Sequence, residues 1–211
     1  MFDIEYKGAN AIVINTKKTK VFIDPKLSIV GLKDLPANES VELATEERFA
    51  TNDPEANLIV DGPGEYGVAG FHISGIPARR HIDTESEGHN STIYRIEIGD
   101  ARIGILGNIW EKLSDEQLEQ LGLIDILIIP VGGNGYTLDA TGAASLVRSI
   151  DPKVIIPVHY ADSSVKYEVP QDSLDLFVKE MGVPVETISK YKVKQMPLSQ
   201  TTLTIIELTR S

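Results

Sequence analysis

Apolar and polar positions alternate strictly at the start of this chain. Phe2, Ile4 and Tyr6 interleave with Asp3, Glu5 and Lys7, the period of a strand with one covered face. Gly8-Ala9-Asn10 turns into Ala11-Ile12-Val13-Ile14, and residues 17–20 turn again into Val21-Phe22-Ile23, so an antiparallel meander is expected. Asp24-Pro25 closes the third strand, because a residue before proline is pushed to extended geometry and proline has no N–H for a ladder. Residues 26–57 are polar and irregular, with a short strand at 41–44 and a helical turn at 46–50. Leu58-Ile59-Val60 ends in the turn Asp61-Gly62-Pro63-Gly64. Residues 66–76 read as one strand interrupted by Gly67, Gly70 and Gly75, and 78–91 as a polar loop. A hairpin pairs 92–97 with 101–106 around Gly99-Asp100.

The second half changes period. Ser114 and Gln117 form a capping box, Leu113 can staple onto Leu118, and Gly122 stops that helix. Asp139 caps a second helix with Ala140, Ala143, Ala144 and Val147 at helical spacing. A third carries Leu174, Phe177, Val178 and Met181 on one face and ends at Gly182. The unalternating runs 124–129 and 154–156 suit strands covered on both faces. Short strands at 185–188, 191–194 and 202–208 finish the chain. With no Ser- or Pro-rich linker between halves, this order predicts one α/β (α+β) domain over residues 1–211, two packed sheets with helices outside.

Composition narrows the function classes. An excess of 31 acidic over 20 basic residues gives a formal charge of −11, which disfavours nucleic acid and anionic membranes as partners. Zero cysteines exclude disulfides, thiolate metal sites and cysteine nucleophiles. No stretch reads as a secretory signal or membrane span, so a soluble cytoplasmic protein is expected.

Candidate chemistry sits at strand ends: Asp24, Asp61, the 62–66 turn, His81, Asn108, the 132–139 loop, and His159 with Tyr160. Taken alone, His159 reads first as a core or rim histidine with a satisfied hydrogen bond, because a single histidine is a weak signal. Gly132-Gly133-Asn134-Gly135 is neither a phosphate-binding P-loop nor a dinucleotide fingerprint, and reads as a turn. No Gly-x-Ser-x-Gly elbow supports a serine nucleophile. His72 lies within a strand and reads as structural, and His89 reads as solvated. His81 and His159 remain; two histidines and a carboxylate can make a three-ligand zinc site with an open position for water.

Several phrases, in order, carry a resemblance. They include Tyr6-Lys7-Gly8-Ala9-Asn10-Ala11, Val21-Phe22-Ile23-Asp24-Pro25, Asp61-Gly62-Pro63-Gly64-Glu65-Tyr66 and Leu106-Gly107-Asn108. Further along stand the run from Pro130 to Asp139 and Ile156-Pro157-Val158-His159-Tyr160. Together they resemble the metallo-β-lactamase-fold hydrolases, in particular the small prokaryotic branch near the ascorbate-phosphate lactonases. The resemblance implies a four-layer αββα sandwich of two similar halves, here about 1–108 and 109–211, and a zinc centre. It also implies that His81 and His159 match histidine positions of that centre.

The departures from the family pattern shape the expectation. The family's His-x-His-x-Asp-His signature needs three histidines before the Gly62 turn, and no histidine precedes His72. The best placement puts Glu46, Arg48, Ala50 and Thr51 at those positions, and the bridging aspartate reads Asn108. The leading expectation is a pseudoenzyme without cofactor, with a pocket of Asp24, His81, Asn108, Tyr136, Tyr160 and His159 for a small polar ligand. The alternative is a lactone or phosphoester hydrolase with a reduced zinc site of His81, His159 and one carboxylate, Asp61 or Glu46. A third reading is a structural subunit of a homo-oligomer.

Overall fold

The computed structural model describes residues 1–194, 198 and 202–211. Among the described residues, fourteen strands form two sheets, accompanied by three α-helices and three short 3-10 turns. The first strands are β1 (Phe2–Gly8), β2 (Ala11–Asn15), β3 (Lys20–Ile23), β4 (Val41–Leu43) and β5 (Leu58–Val60). Then come β6 (Gly64–Val68), β7 (Phe71–Ala78), β8 (Ser91–Ile98) and β9 (Ala101–Ile105). Helix α1 (Asp115–Leu121), β10 (Ile126–Pro130), α2 (Ala140–Ile150), β11 (Val154–Val158) and α3 (Leu174–Met181) alternate before β12 (Val185–Ile188), β13 (Tyr191–Val193) and β14 (Thr204–Leu208).

One sheet runs β13-β1-β2-β3-β4-β5, and the other runs β12-β14-β11-β10-β9-β8-β7-β6. The expected meander is present, with β2 antiparallel to both β1 and β3. The sheets do not divide at residue 108: β6 to β9 join the second sheet, and β13 returns to edge the first. Residues 66–76 are two strands rather than one. Ala69 and Gly70 adopt φ of 50° and 90°, and this tight turn pairs Val68 with Phe71 across a hairpin.

The sandwich explains the unalternating runs. In β10, Ile126 and Ile128 face the other sheet, while Leu127 and Ile129 face the helices. In β11 the same split sends Val154, Ile156 and Val158 inward and Ile155 outward. The inter-sheet core also takes Ile4, Ile12, Ile14, Val21 and Ile23 from the first sheet. All three α-helices contribute to the apolar cluster outside the second sheet, through Leu121, Val147 and Phe177. Outside the first sheet, the 3-10 turn Leu27–Val30 and loop residues such as Val165 cover Ala9 and Ala11 instead. The helix ends follow local chemistry: Ser114 accepts from the Gln117 N–H in a reciprocal capping box, and Asp139 accepts from the Gly142 N–H at 2.7 Å. Among the described residues, no helix is long and apolar enough to cross a membrane.

Chain direction determines where the polar residues gather. Strands β3, β4 and β5 run parallel, as do β9, β10, β11 and β14, and β7 shares the direction of β9 through antiparallel β8. Asp24, Thr45, Asp61, His81, Asn108, Gly132 and His159 therefore follow the carboxyl ends of like-directed strands. The edges of the two sheets are tied together there. The Thr45 carbonyl accepts from the Thr92 N–H at 2.8 Å and the Ser91 hydroxyl at 3.0 Å, and the Ala9 carbonyl accepts from the His159 N–H at 2.8 Å.

Candidate functional site

The site has a neutral wall and a charged wall. On the first, Asp24 leaves β3 with φ of 48° and His159 leaves β11 with φ of 51°. A left-handed backbone at a residue other than glycine is costly, and two facing one small cavity mark a constrained site. The Asp24 carboxyl is buried and accepts from the Thr45 N–H and hydroxyl, both at 2.7 Å. Burial pushes its pKa up to about 7, even against those two hydrogen bonds. Gly107 makes room for this arrangement, since a Cβ there would lie 2.6 Å from the Thr45 side chain.

His159 is buried between two tyrosines. Tyr136 stacks on it at 5.4 Å with an interplanar angle of 13°, and Tyr167 tilts against it at 4.8 Å. Burial lowers its pKa to about 4, so the imidazole is neutral near pH 7. Its Nδ1 lies 3.1 Å from Gln171 Oε1, and Gln171 Nε2 donates to the Val169 carbonyl. The Gln171 oxygen is thus the acceptor, which places the proton on Nδ1 and leaves Nε2 as the acceptor nitrogen. Gly132 permits the approach: a Cβ there would lie 2.2 Å from the His159 carbonyl oxygen and 2.3 Å from Gln171 Oε1. Asn10 lies at the same small cavity, buried, with both amide atoms unpartnered among the described residues.

The charged wall is built by the loops after β4 and β7. Arg48 Nε donates to the buried Glu46 carboxylate at 2.8 Å, and Arg80 Nη1 lies 3.5 Å from the same carboxylate oxygen. Asp83 grips Arg80 through two bonds of 2.8 and 2.6 Å. Arg48 also donates to the Tyr136 hydroxyl at 2.8 Å and lies over the Phe49 ring at 4.8 Å. Burial raises the Glu46 pKa, with the two guanidiniums opposing that shift, whereas the Arg80 hydrogen bond lowers that of Asp83. A cleft of about 450 Å³ opens beside this wall.

The residues singled out in the sequence divide into groups. Asp24, Tyr136 and His159 come together at one small cavity. Asn108 and His81 are neighbours, since the His81 N–H donates to the Asn108 carbonyl at 2.8 Å. The His81 ring packs on Trp110 at 5.4 Å, and no described contact joins it to His159. Both amide atoms of Asn108 and the His81 Nδ1 are buried without a well-formed hydrogen bond among the described residues, although the Asn108 side chain lies near enough to Glu46 to lower its pKa and the Ile109 backbone raises that of His81. Tyr160 turns away, packing on Tyr6 at 5.8 Å against the apolar core. Thr51 also turns away, its hydroxyl donating to Glu42 at 2.7 Å. His72 is not structural: its side chain is 65% exposed, 3.8 Å from Glu65. Exposed His89 lines the larger cleft, as does Asp61.

Sequence reasoning missed Asn10, Thr45, Arg80, Asp83, Tyr167 and Gln171. The dyad Arg79-Arg80 beside His81 was a usable signal for one of them. Nothing local marks Gln171 or Tyr167, whose contacts with His159 exist only in the folded chain.

Comparison with known proteins places this architecture. A UPF0173 metal-dependent hydrolase from Thermococcus onnurineus is 30% identical over 111 residues, covering 52% of this chain and 49% of that relative. One from Archaeoglobus fulgidus is 25% identical over 122 residues, covering 55% and 52%. The chain thus matches about half the length of these curated relatives. Among crystal structures, a proposed Zn-dependent hydrolase of the metallo-beta-lactamase superfamily from Thermotoga maritima superposes with a TM-score of 0.79. Identity to it is 22%, covering 99% of this chain and 100% of that one. The metallo-beta-lactamase fold protein YhfI from Bacillus subtilis gives a TM-score of 0.61 at 8% identity, covering 98% and 96%. The model of the beta-lactamase superfamily domain matches residues 3–159, every segment from β1 to His159, and the chain belongs to that family.

Proposed function

We propose that this chain uses the metallo-β-lactamase sandwich to hold a small polar ligand without a metal ion. The observation that carries this reading is the Arg48 guanidinium, bonded to Glu46 and Tyr136 in the loop that the resemblance assigns to metal ligands. A second guanidinium, Arg80, shares Glu46. Two positive groups drawn onto one carboxylate oppose a dication there. Asn108 offers an amide in place of a bridging anion, and Thr51 bonds elsewhere. The donor set therefore does not fit a binuclear zinc centre. What remains is a polar cleft with pinned cations and, at a separate small cavity, a neutral imidazole and a carboxyl close to its titration point.

The relatives' names favour a second reading, a metal-dependent hydrolase with a reduced site. One local feature agrees with it: Gln171 holds the His159 Nδ1–H and leaves Nε2 as the acceptor, as metal-bound histidines commonly give their other ring N–H to a nearby oxygen. A hydrolysis screen of phosphoesters and lactones, run with zinc and with chelator, separates the two. The proposed reading expects no turnover that zinc restores and chelator removes. Turnover that follows zinc and falls in His159→Ala contradicts it.

A further inference from the structure

The ligand-binding reading can be taken further, because the guanidiniums are held from behind in a way that leaves one nitrogen of each without a short hydrogen bond. Arg80 commits Nε and Nη2 to Asp83, at 2.8 and 2.6 Å. Arg48 commits Nε to Glu46 at 2.8 Å and Nη2 to the Tyr136 hydroxyl at 2.8 Å. The nearest described acceptor to Arg48 Nη1 is Glu168 at 3.9 Å, and to Arg80 Nη1 it is Glu46 at 3.5 Å. Neither separation is that of a well-formed charge-assisted bond. Both side chains line the same cleft of about 450 Å³. Their anchors, Glu46 and Asp83, are buried, with side-chain exposures of 2% and 3%, so the forks are fixed before anything binds. Fixing a long side chain in advance removes much of the entropic cost of binding.

We propose that Arg48 and Arg80 together bind the oxyanion of a small carboxylate or phosphate ligand in this cleft, through their Nη1 groups. This inference rests on the metal-free reading above, with the arginines supplying the positive charge. The rest of the lining constrains the remainder of the ligand. Glu47 and Asp61 lie in the same cleft and repel a second anion, whereas Thr92 and Asn90 offer polar contact. The ligand class is therefore a molecule with one oxyanion and a hydroxylated or amine-bearing remainder, not a polyanion.

The test follows the arginine side-chain N–H resonances of the whole chain by NMR while inorganic phosphate, and separately acetate, is added. Each titration is run with and without chelator, and repeated on Arg48→Lys and Arg80→Lys. These variants keep the positive charge and lose the fork. The proposal expects saturable shifts of Arg48 and Arg80, insensitive to chelator, with affinity falling about tenfold in either variant, the scale of one charge-assisted bond. If Arg80→Lys does not fold, the wild-type shifts and Arg48→Lys carry the test. Saturation that both lysine variants leave unchanged overturns the proposal. No saturable shift with either anion overturns it alone and leaves the metal-free reading standing. Binding that chelator abolishes and zinc restores overturns both.

Discussion

On one wall of the site, Glu46 and Asp83 are buried beside Arg48 and Arg80; on the other, Asp24 and His159 are buried with no ion pair among the described residues. Both walls face the same problem, the cost of taking charge out of water. The first answers it by pairing, and the second by titration. Arg80 holds the Asp83 carboxyl below the usual range, while burial, helped by the Glu46 charge, moves Asp24 up to about 7 and, helped by the Arg48 charge, moves His159 down to about 4. The contrast teaches that the two walls cannot be exchanged. The charged wall depends on keeping both signs present, and the neutral wall depends on close packing that excludes counter-ions.

The largest effect is expected on the neutral wall. Gly132→Ala places a methyl 2.2 Å from the His159 carbonyl oxygen and 2.3 Å from Gln171 Oε1, so the loops after β10 and β11 must separate. Overpacking against backbone predicts a loss of about 3 kcal/mol or more in chemical denaturation. A loss below about 1 kcal/mol would show that these loops are not packed as described.

On the charged wall, Arg80→Ala strands Asp83 and leaves Glu46 with Arg48 alone. Removing one member of a buried pair costs about 3–5 kcal/mol, and the partial exposure of Arg80 places the expected loss near about 3 kcal/mol. Asp83→Asn with Arg80→Ala should recover part of it, because no unpaired charge then remains. Failure of the double variant to recover anything would remove the pairing account.

The pH dependence sharpens the comparison at smaller amplitude. Asp24 is raised from 3.8 to about 7, so its contribution to stability is present below pH 3.8 and lost as pH rises through about 7. His159 is lowered from 6.5 to about 4, so its contribution is present above pH 6.5 and lost as pH falls through about 4. Between about pH 4 and 6.5 these contributions oppose each other and partly cancel in the wild type. Asp24→Asn should expose the His159 loss as a steeper fall in stability toward acid, read by denaturation at several pH values. An unchanged profile would mean that these two groups do not titrate as opposites.

Much of the fold was legible because its signals are local. The alternation in β1, the apolar runs of β10 and β11, the Ser114 capping box and the Asp139 cap each lie within a few residues. Asp24 and His159 could be placed near one another because like-directed strands bring their carboxyl ends to one side, whereas Asn108 neighbours His81 instead. The 66–76 stretch was misread because Ala69 takes a left-handed conformation that alanine rarely adopts, so the glycine beside it was the only turn signal. The Glu46–Arg80–Asp83 cluster was not legible, since its shared carboxylate and its second arginine are separated along the chain by three strands, β5 and the hairpin β6–β7. Tyr160 was placed in the pocket from its adjacency to His159, but the chain turn at His159, with φ of 51°, sends the neighbouring ring toward Tyr6.

The most direct measurement is the metal content of the chain purified without added zinc, and again after incubation with zinc and gel filtration. If guanidiniums stand where the resemblance would put metal ligands, both preparations should hold well under one metal per chain, and zinc should not raise the melting temperature. One or more zinc ions retained per chain, with a rise in melting temperature, would contradict the account.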